Sequence, residues 1–141
     1  MRPERNKNPL ALMEQVLMVL IFSIAAAVCI RAYVISRNLS VQSSNRDEAG
    51  RICVSIVETI KACKGEEETI IEGCNLRKQS DCLIGYYDGE FKAVDKEDCE
   101  YVVTVNFSEE GLLGRAKVTM KDKAGHAIFA LDTAWQEDDN E

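Results

Sequence analysis

The stretch Ala49-Gly50-Arg51-Ile52-Cys53-Val54-Ser55-Ile56-Val57-Glu58-Thr59-Ile60-Lys61-Ala62-Cys63 decides the fold. Ala49, Ile52, Cys53, Ile56, Val57, Ile60 and Cys63 recur at i, i+3, i+4, i+7, i+8, i+11 and i+14. That is the period of an α-helix with one apolar stripe. Arg46, Arg51, Ser55, Glu58 and Lys61 take the other faces, and Gly65, after Lys64, suits a helix C-terminus. Just upstream, Ser43-Ser44-Asn45-Arg46-Asp47-Glu48 is polar, and Ser44 precedes Asp47 by three, as in a helix cap. The helix therefore either hinges near Ser43–Asn45 or runs on from the residues before it. In both cases its stripe needs a second layer to lie on.

That layer is legible downstream as strands. Residues 66–73 suit a short helix or a loop turn. Cys82–Tyr87 and Glu90–Val94 flank Asp88-Gly89, a dipeptide that favours a two-residue hairpin. Tyr101–Phe107 alternates, with Tyr101, Val103, Val105 and Phe107 on one face. Glu109-Glu110-Gly111 is expected to turn the chain into Leu112–Lys121, where Ala116, Val118 and Met120 face inward. Asp122-Lys123-Ala124-Gly125 turns it again, into a last strand His126–Trp135 that sets Phe129, Leu131 and Trp135 on a common face. A long N-terminal helix packed on a four- to five-stranded antiparallel sheet is an α+β arrangement.

Upstream lies Leu10–Ile30, LALMEQVLMVLIFSIAAAVCI, with Glu14 as its single charge. At 1.5 Å per residue a helix of this length crosses a hydrocarbon core of roughly 30 Å. If it continued unbroken through residue 64, the helix would extend about 80 Å. Charge divides along the same lines. The whole chain of 141 residues carries 17 Lys and Arg, 24 Asp and Glu, and a net −7. Residues 1–9 have a net of +2, whereas residues 31–141 hold 14 basic and 22 acidic side chains, a net of −8. Positive charge stays in the cytoplasm, so the N-terminus is expected inside and residues 31–141 outside. An acidic outer part without a basic stripe excludes nucleic acid as a partner. The expected divisions are a basic leader (1–9), a transmembrane helix (10–33), an amphipathic helix outside the membrane (34–65), an antiparallel β domain (66–135) and an acidic tail (136–141).

Other readings of the apolar stretch compete. Ala25-Ala26-Ala27 fits a signal-peptidase site that would release a chain starting at Val28, although the sequence stays apolar through Ile30. Cys29 could end a lipoprotein signal, but bulky Val28 precedes it. A plain signal anchor is the third alternative. Glu14 fits none of these well, because a carboxylate inside an apolar run is costly unless it meets the interface or a partner.

Asn8-Pro9-Leu10-Ala11-Leu12-Met13-Glu14, with the apolar run to Arg31-Ala32-Tyr33, resembles the N-terminus of type IV pilins and type II secretion pseudopilins of bacteria, in their minor-subunit form. In that family a prepilin peptidase removes a short basic leader and the new N-terminus is methylated. A Glu five residues into the mature chain is the signature. The resemblance implies cleavage between Pro9 and Leu10, Glu14 as the signature carboxylate, and Ala32-Tyr33 as the end of the apolar run. Pro9 stands where the family has Gly, and Arg31 where it has a helix-weakening Pro. In physical terms, a freed ammonium at Leu10 needs a counter-charge within an apolar bundle. A Glu14 one turn along a neighbouring helix supplies it and sets the stagger.

Cys29, Cys53, Cys63, Cys74, Cys82 and Cys99 complete the inventory of reactive groups. Cys29 reads as a small apolar membrane residue. Cys53 and Cys63 are roughly 15 Å apart on one helix and cannot bridge each other. Outside the cell, the five cysteines beyond the membrane could form disulfides, with Cys53 or Cys63 to Cys74 preferred, or remain packed thiols. No C-x-x-C pair occurs, and the only histidine, His126, is far from any cysteine cluster, so no metal is expected. No phosphate-binding, nucleotide-binding or hydrolase motif is present. The sequence thus points to a non-enzymatic, cofactor-free, single-pass membrane subunit of a type IV pilus or type II secretion-like filament. Its expected partners are other pilin or pseudopilin subunits, prepilin peptidase and membrane lipid. The alternatives are a signal-anchored extracytoplasmic binding or sensory module that does not polymerise, and a secreted, cleaved α+β domain.

Overall fold

A computed structural model describes residues 8–111 and 113–136. Helix α1 spans Asn8–Ala62, 55 residues without a break. Its continuity follows from composition: no Pro or Gly occurs between Leu10 and Ala49. Residues Ser43–Asn45, considered as a hinge or cap, are helical. Pro9 occupies the first turn, where a missing N–H loses no hydrogen bond. At the other end Lys64 and Gly65 adopt φ of 49° and 82°, and the Gly65 N–H donates to the Ile60 carbonyl at 3.0 Å. Gly65 thus stops the helix as its position suggested.

Two compact units divide this chain, one up to Ser43 and one from Ser44 onward. The first is α1 alone, and its apolar side chains are all exposed. The second holds the rest of α1, a short helix α2 (Glu67–Cys74) and five strands: β1 (Arg77–Gln79), β2 (Cys82–Tyr87), β3 (Tyr101–Glu110), β4 (Leu113–Asp122) and β5 (Ala127–Gln136). The strands form one antiparallel sheet in the order β1-β2-β3-β4-β5. Inward residues of neighbouring strands are in register, with Leu83 opposite Val105, Val105 opposite Val118 and Val103 opposite Met120. All four of those on β3 and β4 are fully buried. Ala49, Cys53, Ile56, Val57 and Ile60 of α1 close the core from the other side, with Ile70 and Leu76 at its end. The arrangement is α+β, as the apolar stripe and the alternating strands require.

Three strand expectations are corrected. No strand forms at Glu90–Val94. The Asp88 side chain instead accepts the N–H groups of Glu90 and Lys92, both at 2.9 Å, and wraps the chain into a loop. Phe91 takes φ +61° there and its ring stacks on Tyr101 at 4.5 Å, while Ala93 forms a single bridge opposite Tyr87 of β2 and the Val94 N–H donates to the Tyr86 carbonyl at 3.0 Å. β2 therefore pairs directly with β3. Second, Glu109 and Glu110 are paired strand residues, and the reversal begins at Gly111. Third, β5 begins at Ala127 rather than His126. The His126 N–H caps the Asp122 carboxylate at 2.8 Å and, as the largest cause, holds that carboxyl below its ordinary range. Strand β1 went unforeseen because Arg77-Lys78-Gln79 has no apolar alternation to betray it.

The indole of Trp135 explains two glycines. It lies over Gly114, its partner across β4 and β5, and over Gly65 at the end of α1, so a Cβ at either place would enter the ring. Gly114→Ala is expected to destabilise the domain by about 1–3 kcal/mol, the usual range for overpacking. The double variant with Trp135→Phe should recover part of that loss. Equilibrium denaturation of the single and double variants measures the coupling.

Candidate functional site

Glu14 lies in the second turn of the membrane-length helix, exposed between flanking apolar side chains. Leu10, one turn earlier, is 74 % exposed. On a helix, positions four apart lie one above the other. Leu10 and Glu14 therefore share a face, along with Met18. Among the described residues no basic group pairs with Glu14 within its own chain. By length and composition α1 can cross a membrane, and it is the one such helix among the described residues. In a hydrocarbon medium this geometry leaves a carboxylate that needs a donor from outside the chain or the headgroup layer.

The cysteines do not gather into a site. All six are free thiols, so the Cys53–Cys74 and Cys63–Cys74 bridges are not formed here. Cys53 is fully buried between the turns of α1 that touch the sheet, and burial pushes its thiol up to about 11. Cys74 lies near the Tyr87 hydroxyl, whose pKa is raised by burial first and then by Cys74 and Cys53. Cys82 donates to the Gln79 carbonyl at 3.3 Å and Cys99 to the Lys96 carbonyl at 3.1 Å, which are local turn contacts. Cys29 is exposed on the membrane-length part of α1.

A folded-state thiol pKa above the unfolded value means the folded state keeps its proton longer. Stability from Cys53 is then fully present below the ordinary thiol value of 9.0 and declines as pH rises toward about 11. Urea denaturation at pH 8 and pH 10.5 should show weaker folding at the higher pH. Cys53→Ala is expected to flatten part of that dependence, leaving the contribution of Tyr87, which has the same sign.

A groove of about 310 Å³ between α1 and the α2 end is lined by Ile52, Ser55, Glu72, Cys74 and Tyr87. Beside it the Arg77–Asp95 ion pair borders a second, more polar groove of about 260 Å³. His126 lies 3.4 Å from Asp122 at an exposed turn, an ion pair that forms when the imidazole is protonated. No group of three His, Cys, Asp or Glu side chains suited to a metal occurs among the described residues. Exposure of Glu14 was readable from its position in an apolar run. The Asp88-centred loop was missed, and its signal was a carboxylate followed at two and four residues by free backbone N–H groups.

No known protein-family profile, curated protein or solved structure matches the chain.

Proposed function

We propose that this chain is a non-enzymatic, membrane-anchored subunit of a type IV pilus or type II secretion-like filament, of the minor pilin or pseudopilin kind. One observation carries the reading: Glu14, the single carboxylate between Leu10 and Ile30, is exposed on an apolar helix and has no ion-pair partner among the described residues. In such a filament the helices bundle, and Glu14 of one subunit neutralises the freed amine of Leu10 in the next. An unbroken α1 and an α+β domain with its own core also support the reading. The N-terminus is then cytoplasmic and the sheet domain extracytoplasmic. Partners are like subunits, prepilin peptidase and lipid.

A second reading is favoured by one specific feature. Pro9, at the bond to be cut, sits within the first helical turn rather than in an extended segment. A chain left uncut there is a signal-anchored extracytoplasmic binding or sensory module that does not polymerise.

Mass spectrometry of the N-terminal peptide from native membranes separates the readings. A methylated Leu10 is expected. An intact leader leaves the anchored module, and a chain starting at Val28 means secretion.

A further inference from the structure

Charge on the sheet domain is unevenly placed. On β4 the side chains that alternate with the buried Ala116, Val118 and Met120 are Arg115, Lys117, Thr119 and Lys121, and they face away from α1. All three cations are exposed. At about 6.8 Å per two residues, Arg115 and Lys121 stand about 20 Å apart along the strand. Their neighbours across the ladder are short, with Asn106 beside Lys117, and Thr104 and Ala130 on either side of Thr119. Arg115 meets Glu110 at 2.9 Å and Lys117 lies 4.0 Å from Asp132, whereas Lys121 has no ion pair among the described residues.

The carboxylates in excess lie in the loop from β2 to β3. That loop is held at the β1–β2 edge by the Val94 N–H on the Tyr86 carbonyl, and by Asp95 on Arg77 of β1 at 2.5 Å. A single 3-10 turn, Lys96–Asp98, follows, and it exposes Lys96, Glu97 and Asp98. Neither carboxylate of the turn has an ion pair among the described residues. The turn and the β4 cations therefore do not neutralise each other within one chain.

From this complementarity we infer that the outer face of β4 receives the Lys96–Asp98 turn of a second copy of this chain, in a head-to-tail contact that repeats from copy to copy. Glu97 and Asp98 meet Lys117 and Lys121, and Lys96 meets Asp132. The mixed signs select a second copy over an anionic polymer. Glu110 and Asp132 flank the cations of β4, so an unbroken run of negative charge would be repelled there, whereas the turn sets one lysine beside its carboxylates. Exposed ion pairs are weak singly and exchange partners readily. Copies held in one membrane meet at a raised effective concentration, which lets such a contact form. A face and a turn that differ can join copies in an open series, as a filament requires. The inference rests on the filament reading, whose own failure is seen separately, as an intact leader in the N-terminal peptide.

The test uses the full chain in liposomes, with equal parts of isotopically light and heavy protein, and a carbodiimide that joins an amine to a touching carboxylate. Peptides linking Lys117 or Lys121 to Glu97 or Asp98 are expected, and mixed-isotope forms show that the link is between chains. The cross-linked product should continue past the dimer on gels. Strength is read from energy transfer between donor- and acceptor-tagged chains as lipid is added. Lys117→Glu/Lys121→Glu should dissociate at roughly tenfold lower dilution than the native chain, and so should Glu97→Lys/Asp98→Lys, both with unchanged circular dichroism. All four substitutions are at exposed positions, and combining them should restore the native value. Absence of mixed-isotope peptides overturns the inference, as does a product that stops at the dimer. Reversal variants that associate like the native chain, or a combination that stays as weak as its parts, overturn it too.

Discussion

Ile60→Ala is expected to lower the stability of the sheet domain by about 2–5 kcal/mol, the range for truncating a buried aliphatic side chain. Ile60 is fully buried on the last turns of α1, in one cluster with Ile56, Ile70 and Leu83. Its removal takes away the transfer free energy of three carbons and leaves a cavity that helix and sheet, both regular, cannot collapse to fill. Domains of this size have a total stability on the order of 5–15 kcal/mol, so the loss is a large fraction of the whole. A fall in melting temperature of at least about 10 °C should follow. Val54→Ala, six residues earlier on the same helix but 41 % exposed, is the control. It should cost well under half as much, since only part of its side chain leaves water on folding. Thermal unfolding of the two variants, followed by near-ultraviolet circular dichroism, compares them directly. Equal losses would mean that α1 does not cover the sheet through the Ile56–Ile60 stripe.

That stripe is also where the sequence was most informative. Spacing alone identified Ala49, Ile52, Cys53, Ile56, Val57, Ile60 and Cys63 as one face, and all but Ile52 and Cys63 are buried. The long alternations at β3 and β4 were legible for the same reason: a residue period of two leaves no other face for Val103, Val105, Val118 and Met120. Local turn chemistry was harder. Asp88-Gly89 has the composition of a tight hairpin, yet the Asp88 carboxylate captures two backbone N–H groups and stacking of Phe91 on Tyr101 holds the wider loop. β1 has no apolar residue, so its pairing with β2 depends on backbone geometry that composition does not encode. The fit of Trp135 over Gly65 and Gly114 joins residues that are remote in sequence, which a periodicity cannot show. Of the candidate site, the isolation of Glu14 was visible at once, while for the cysteines the sequence left bridges and free thiols both open, and all six are free thiols here.

The second large effect concerns Glu14. Glu14→Ala should leave α1 helical and membrane-inserted, because alanine is the best helix former and removes the one charge in the apolar run. Assembly, by contrast, should fail. In the proposed filament, loss of the carboxylate would leave the ammonium of Leu10 on an adjacent subunit buried unpaired, a penalty of about 3–5 kcal/mol. Glu14→Gln keeps the shape and loses the charge, so it should fail nearly as severely. Glu14→Asp keeps the charge on a shorter arm and should retain part of the function. The graded series distinguishes charge pairing from simple packing along the helix.

The most direct measurement is quantitative immunoblotting of sheared surface filaments against the membrane fraction, for the native chain and Glu14→Ala. The account predicts equal membrane levels and a filament fraction reduced at least roughly tenfold. Filaments containing Glu14→Ala at the native level would contradict it.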